Sequence, residues 1–230
     1  MKKKMKVRIA TVFAFLVLAV ISCVGYWAWK YYLLPEVNDQ RGKGGFIIPA
    51  MPDRTQYESL EKRAAVAFEF ARKRNMSTHY ALFVDYGVPS GTPRLYVWDF
   101  EKKCIVARTY VMHGPGRGST AKHPVFSNDV GSNCSTLGRF LVTREHGRRN
   151  KTGYRLKGLD IDNRNAYRRA LMIHRSTYLD GLVWKKYIPL NAKSCQGCVT
   201  VTSRGMDYIG KLVKSEKKPI LLWNYCSSSD

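Results

Sequence analysis

A chain of 230 residues is long enough to bury a core without help from disulfides or metal. With 39 Lys and Arg against 17 Asp and Glu it carries a net charge of +22, which calls for a polyanionic partner. The basic residues are scattered rather than gathered into an aromatic-interleaved stripe, and there is no nucleic-acid motif, so nucleic acid is excluded as that partner.

The chain opens with five Lys or Arg in MKKKMKVR, and residues 9–29 then contain no charge. Those 21 residues are enough to cross a hydrocarbon layer, and the basic flank keeps the N-terminus on the cytoplasmic side. Residues 1–29 therefore read as a signal anchor, with Trp27, Trp29, Tyr31 and Tyr32 as the aromatic belt, or as a lipoprotein signal in which Val20-Ile-Ser-Cys23 is the lipobox. Either way the rest of the chain is tethered to the membrane outside the cytoplasm. There its remaining charge of about +17 meets anionic envelope polymers first. Residues 30–52, with RGKGG and three prolines, read as a linker, and residues 53–230 as one domain.

Thr55-Gln-Tyr-Glu58 has the capping-box pattern, and Leu60, Ala64, Ala67, Phe68 and Ala71 recur at helical spacing up to Asn75. This predicts one amphipathic helix packed on a sheet, with Phe68 and Phe70 in the core. HYALFVDY, RLYVWDF and CIVARTYVMHG, separated by GVPSGTP and EKK, predict a meander of three antiparallel strands. A loop rich in Gly, Ser and Asn runs over residues 114–137; its GPGRGSTAK lacks the Gly-Lys-Ser/Thr ending of a phosphate loop. Further strands are expected at GRFLVT, YRLKGLDI, ALMIH and CVTVT, a helix over residues 203–214, and a last strand at PILLWNY. The fold class is α+β, mostly β.

Six cysteines in an oxidising compartment suggest disulfides, but without Cys23 five remain. Five is odd, so at least one thiol lacks an intrachain partner. Cys198 has the setting of a nucleophile: Gly197 permits a sharp turn before it, so neighbouring amides can face a developing oxyanion, and His174 ends an apolar strand 24 residues upstream. A histidine beside a thiol shifts it toward thiolate, which makes His174 the candidate base. A thioredoxin-like reading of Cys195-x-x-Cys198 fails on the residues after it, since that motif leads into a helix and here a β-branched run comes next. A zinc site would need further ligands, and no second C-x-x-C or H-x-x-x-H exists. No metal or organic cofactor is implied.

FSNDVGSNCSTLGRF at residues 126–140, MIHRS at 172–176 and CQGCVTV at 195–201 together resemble the murein L,D-transpeptidase catalytic domain, over roughly residues 80–225 and including VMHGPGRGS. The resemblance implies a sandwich of antiparallel and mixed sheet with one or two packed helices. It implies Cys198 as the nucleophile attacking the L-centre carbonyl of a peptidoglycan stem peptide, His174 as base, and amides around Gln196 and Gly197 as oxyanion hole. Acyl transfer to an amine is the expected reaction; the alternatives are an L,D-carboxypeptidase or amidase using water, and a non-catalytic envelope-binding module. The chain departs from the family's pattern at Arg175, where many members have Gly, at Cys195, where they have Ser or Thr, and at Thr200, where they have Arg. Arg175 is one cation that could stand in for the missing arginine. Cys195 is an accessory candidate able to shield Cys198 as a disulfide. His113 is expected to line the site or cap the loop, with Ser127 and Asn128 as loop residues near the substrate.

Overall fold

Alternation along the central strands sets the layers. In β2 (Tyr80–Asp85), Ala81 and Phe83 face a helix, whereas Leu82 and Val84 face the interior; the same period of two recurs in β3 (Leu95–Asp99), where Tyr96 and Trp98 oppose Leu95 and Val97. The computed structural model describes residues 54–147 and 152–227, together with Ser22 and the strand β1 (Phe46–Ile47). The expected membrane segment, Cys23 and most of the linker lie outside the described residues. The compact unit that holds the site spans Gly44–Asp230.

The helix on the outer face is α1 (Arg54–Lys73), whose Leu60, Ala64, Ala67 and Ala71 are buried at i, i+4, i+7 and i+11. Its small residues let the helix axis approach the sheet closely. Thr55 lies inside the helix, so the capping pattern does not mark its start. Phe68 and Phe70 are only half buried, which corrects the core expectation: Phe68 meets Phe100 edge-on at 5.3 Å, and Arg139 lies 4.1 Å over the Phe70 ring. The rings sit at the margin of the layer, where a guanidinium can cover a π face and still reach water.

β2, β3 and β4 (Cys104–Thr109) form the expected antiparallel meander, with Leu82 opposite Val97 and Val97 opposite Ala107. The predicted third strand, however, does not run through to residue 114. It breaks at Tyr110, and β5 (Val111–Met112) pairs instead with β9 (Val199–Val201). Strand order is β1-β4-β3-β2-β10 (Ile220–Tyr225)-β6 (Gly138–Val142)-β7 (Tyr154–Gly158)-β8 (Met172–Arg175)-β9-β5, so β4 and β5, one residue apart in sequence, belong near opposite ends of the row. The sheet must therefore fold back on itself. The bend runs through β7, whose last residues pair with β6 and whose first pair with β8.

β10 lies parallel to β2 and antiparallel to β6, and β8 lies parallel to β9; the other strand pairings are antiparallel. Parallel β8 and β9 need a crossover, and it contains the four-residue helix α2 (Thr177–Asp180). The last helix, α3 (Ser203–Ser215), is capped by Thr202, whose Oγ1 accepts from Gly205 N at 3.2 Å. Its Met206, Ile209, Leu212 and Val213 close the interior formed by Leu82, Val97, Phe140, Leu156, Ile173 and Val201. The result is a mixed, mostly β sandwich with one helix outside and one inside the fold-back.

Candidate active site

β8 and β9 bring the candidate base and nucleophile to one edge of the sandwich. In their parallel register His174 stands beside Thr200, and Cys198 closes the turn that leads into β9, two residues before Thr200. Ile173, Val199 and Val201, on the other face, are buried in the core and hold the two strands in place.

His174 Nδ1 lies 3.0 Å from the carbonyl oxygen of Arg175. A carbonyl can only accept, so this nitrogen carries the proton and Nε2 keeps its lone pair. Thr200 Oγ1 is 3.3 Å from Nε2 and can donate to it. Burial lowers the His174 pKa below its ordinary value, against a smaller opposing pull from the Arg175 carbonyl. The imidazole is thus a neutral acceptor with a fixed tautomer.

The Cys198 thiol is half buried, and removal from water pushes its pKa up to about 12, with Cys195 adding to the rise. Hydrogen bonding with the Met172 and Gln196 backbone and the charge of Arg169 pull the other way. Thiol and imidazole are consequently each neutral at rest.

Gly197 shapes the turn that presents this thiol. Its φ is +93°, and a Cβ there would lie 2.3 Å from the Cys134 carbonyl oxygen and 2.9 Å from Arg169 Nη2, so only glycine fits. From the other side Gly114 packs backbone to backbone: a Cβ on it would meet the Gly197 Cα and N at 2.8 Å.

Arg169 is the residue that sequence reasoning missed. Its Nη1 donates to Ser127 O at 2.6 Å and to Thr136 Oγ1, and its Nη2 donates to Cys134 O at 2.6 Å. One guanidinium therefore ties Ser127 to Cys134 and Thr136 in the second half of the Ser/Asn/Gly loop, against the nucleophile turn, and places a positive charge near the thiol. Nothing in its local sequence, NAYRRAL, separates it from Arg168; only the fold does. Thr200 stands where many family members have arginine, and its hydroxyl touches the base, a role that the i, i+2 spacing from Cys198 could have suggested.

The other candidates occupy distinct places. Cys195 is buried under the turn, its thiol donating to the Cys198 carbonyl at 3.3 Å, and burial raises its pKa. Gln196 is exposed at the tip of the turn. The Arg175 side chain projects from the face opposite His174 and approaches Asp207 of α3 at 3.9 Å. His113 is 1% exposed: its Nε2 donates to Thr120 O at 2.8 Å and its Nδ1 accepts from Arg94 Nη2 at 3.0 Å. With both nitrogens engaged, and a pKa lowered to about 4 by burial and by Arg94, His113 is a neutral strut for the loop that begins at Gly114. Ser127 and Asn128 are scaffolding as well. Ser127 Oγ accepts from Asp129 N, and Asn128 accepts two 3.1 Å bonds from Asn165, one from its backbone N and one from its Nδ2.

The fold thus sets a Gly-Cys turn at the start of the strand that pairs with His174, whose Nε2 is unprotonated, and these are residue types suited to nucleophilic cysteine chemistry. The chain belongs to the L,D-transpeptidase catalytic-domain family, whose model matches residues 53–223. This is a family of enzymes that act on peptidoglycan. No curated protein and no solved structure gives a significant match to the chain.

Proposed function

We propose that this protein is a membrane-tethered, extracytoplasmic L,D-transpeptidase in which Cys198 is the nucleophile and His174 the base. As the thiol sulfur bonds to the L-centre carbonyl carbon of a peptidoglycan stem, its proton passes to His174 Nε2, and the carbonyl oxygen becomes an oxyanion facing the amides of Gln196, Gly197 and Cys198. Collapse breaks the peptide C–N bond, and His174 returns the proton to the departing D-amino acid, leaving a thioester on Cys198. An amine of a second stem then attacks the thioester carbon, giving its proton to His174; the C–S bond breaks as the new amide forms, and His174 passes the proton to the departing Cys198 sulfur. The observation that supports this reading is the His174 tautomer: the Arg175 carbonyl accepts from Nδ1, which leaves Nε2 as the acceptor nitrogen, 3.3 Å from the hydroxyl of Thr200 in the strand that Cys198 leads into.

Intact-mass spectrometry of reduced protein incubated with a disaccharide tetrapeptide tests this. An acyl adduct is expected in the wild type and in Cys195→Ala and absent in Cys198→Ala. Release of a cross-linked dimer marks transfer to an amine, whereas a tripeptide product alone marks hydrolysis. Absence of both adduct and turnover while the Cys198 thiol is demonstrably free would sink the proposal.

A further inference from the structure

Between His174 and Cys198 the chain makes a closed surface loop. Tyr178 Oη donates to the Pro189 carbonyl at 3.2 Å across its neck, and Leu179 and Ile188, one on each side, are fully buried with Cys195 and Met112 in one apolar cluster. Ile188 N donates to Ser90 Oγ at 2.8 Å, and Gly91 N donates to Lys186 O at 3.0 Å. A Cβ on Gly91 would overlap the Lys185 carbonyl oxygen at 1.5 Å, so the loop backbone lies flush against the 88–91 turn. This is a compact loop fastened to the same cluster as the nucleophile turn.

At its tip the loop displays Trp184, 56% exposed. An exposed indole ordinarily changes rotamer freely, but this one is fixed: Nε1 donates to Gly181 O at 3.0 Å and the Lys185 ammonium lies 4.4 Å from the ring centroid. Lys186 sits beside it, 5.7 Å from the Tyr187 ring. Leu179 and Ile188 point inward, so the outer side of the loop carries one exposed flat ring with the Lys185 ammonium over one of its faces and the exposed Lys186 close by in the chain. A membrane-seeking loop would turn several apolar side chains outward together. A pyranose ring has the complementary form, with an apolar C–H face to lie on the indole and a polar rim to meet ammonium groups.

We infer that the Tyr178–Pro189 loop is a sugar-binding platform that receives the glycan strand of peptidoglycan, Trp184 stacking on a pyranose ring and Lys185 and Lys186 facing its polar edge. The inference rests on the proposed function for its substrate, and it makes the preferred substrate a stem still attached to glycan rather than a free peptide. Exposed aromatic anchors of this kind carry a large share of binding energy where they are preorganised.

Equilibrium dialysis of the full chain in detergent against soluble glycan strands stripped of stem peptides tests the platform directly. Saturable binding is expected for the wild type, at least tenfold weaker for Trp184→Ala, and largely restored in Trp184→Phe, which keeps a flat ring. A second readout is the ratio of kcat/KM for disaccharide tetrapeptide to that for glycan-free tetrapeptide, expected to fall about tenfold in Trp184→Ala. Undiminished glycan binding in Trp184→Ala overturns the inference. So does binding that disappears with Lys185→Ala/Lys186→Ala or added salt while ignoring Trp184, which would mark a general polyanion surface. A wild type that turns over neither peptide defeats the acyl-transfer reading instead, and the dialysis result still decides the loop.

Discussion

His174 and Cys198 are both held neutral by the same physical cause, loss of water, which lowers the base and raises the acid. That cause sets the sign of the pH dependence. The working form of the proposed mechanism needs an unprotonated imidazole, present above its lowered pKa, and a protonated thiol, present below about 12. Log kcat/KM is therefore expected to fall on the acid side with an apparent pKa below 6.5 and to stay level through the mildly alkaline range. A thiolate–imidazolium pair would behave differently, losing activity as the imidazolium deprotonates at about pH 7 to 9. A pH profile with an alkaline limb in that window would refute the neutral pair.

Elements matter to the site through what ties them together, and Arg169 is the main tie. It sits on the connection between β7 and β8 and bonds to Ser127, Cys134 and Thr136 of the long loop, against which the Gly197 turn rests. Arg169→Lys keeps the charge but cannot reproduce a fork that serves three acceptors, and Arg169→Gln loses both. We expect kcat to fall by about 10²-fold in Arg169→Gln and by less in Arg169→Lys, since displacement of a reacting group by about 1 Å has that effect. Alkylation of Cys198 as a function of pH separates positioning from simple stability: removing the nearby cation should move the profile to higher pH in Arg169→Gln and leave it in place in Arg169→Lys. An unmoved profile in both variants, with kcat intact, would reduce Arg169 to loop packing.

For the molecule as a whole, 39 basic against 17 acidic residues create a field that no single patch accounts for. Such a field attracts anionic wall or envelope polymers at long range and is screened within about 8 Å at physiological ionic strength. Co-sedimentation of the full chain with purified walls should weaken progressively as salt rises from about 50 mM to about 500 mM. Binding indifferent to salt would remove electrostatics from the account and leave contact surfaces such as the Trp184 loop.

Much of this was legible in one dimension. Local periodicity disclosed the meander of β2 to β4, the small-residue face of α1 and the strands ending at His174 and beginning after Cys198, because side-chain alternation and helical spacing are written residue by residue. The Gly-Cys turn and the histidine strand were visible for the same reason. The break at Tyr110 was not, since Val111 and Met112 are as apolar as the strand before them and only pairing with β9 carries them to the other part of the sheet. Arg175 and Arg169 look alike in sequence. Strand alternation in the folded sheet turns the first away from His174 toward Asp207, and the β7–β8 connection brings the second beneath Gly197. Sequence alone thus determined the elements and the chemical types at the candidate site. Tertiary structure decided which cation stands near the thiol, because Arg169 is held there by Thr136, Cys134 and Ser127, 33, 35 and 42 residues away, and it decided which histidine has both nitrogens engaged within the protein core, because the Arg94 and Thr120 partners of His113 are brought to it by the fold and not by any local pattern.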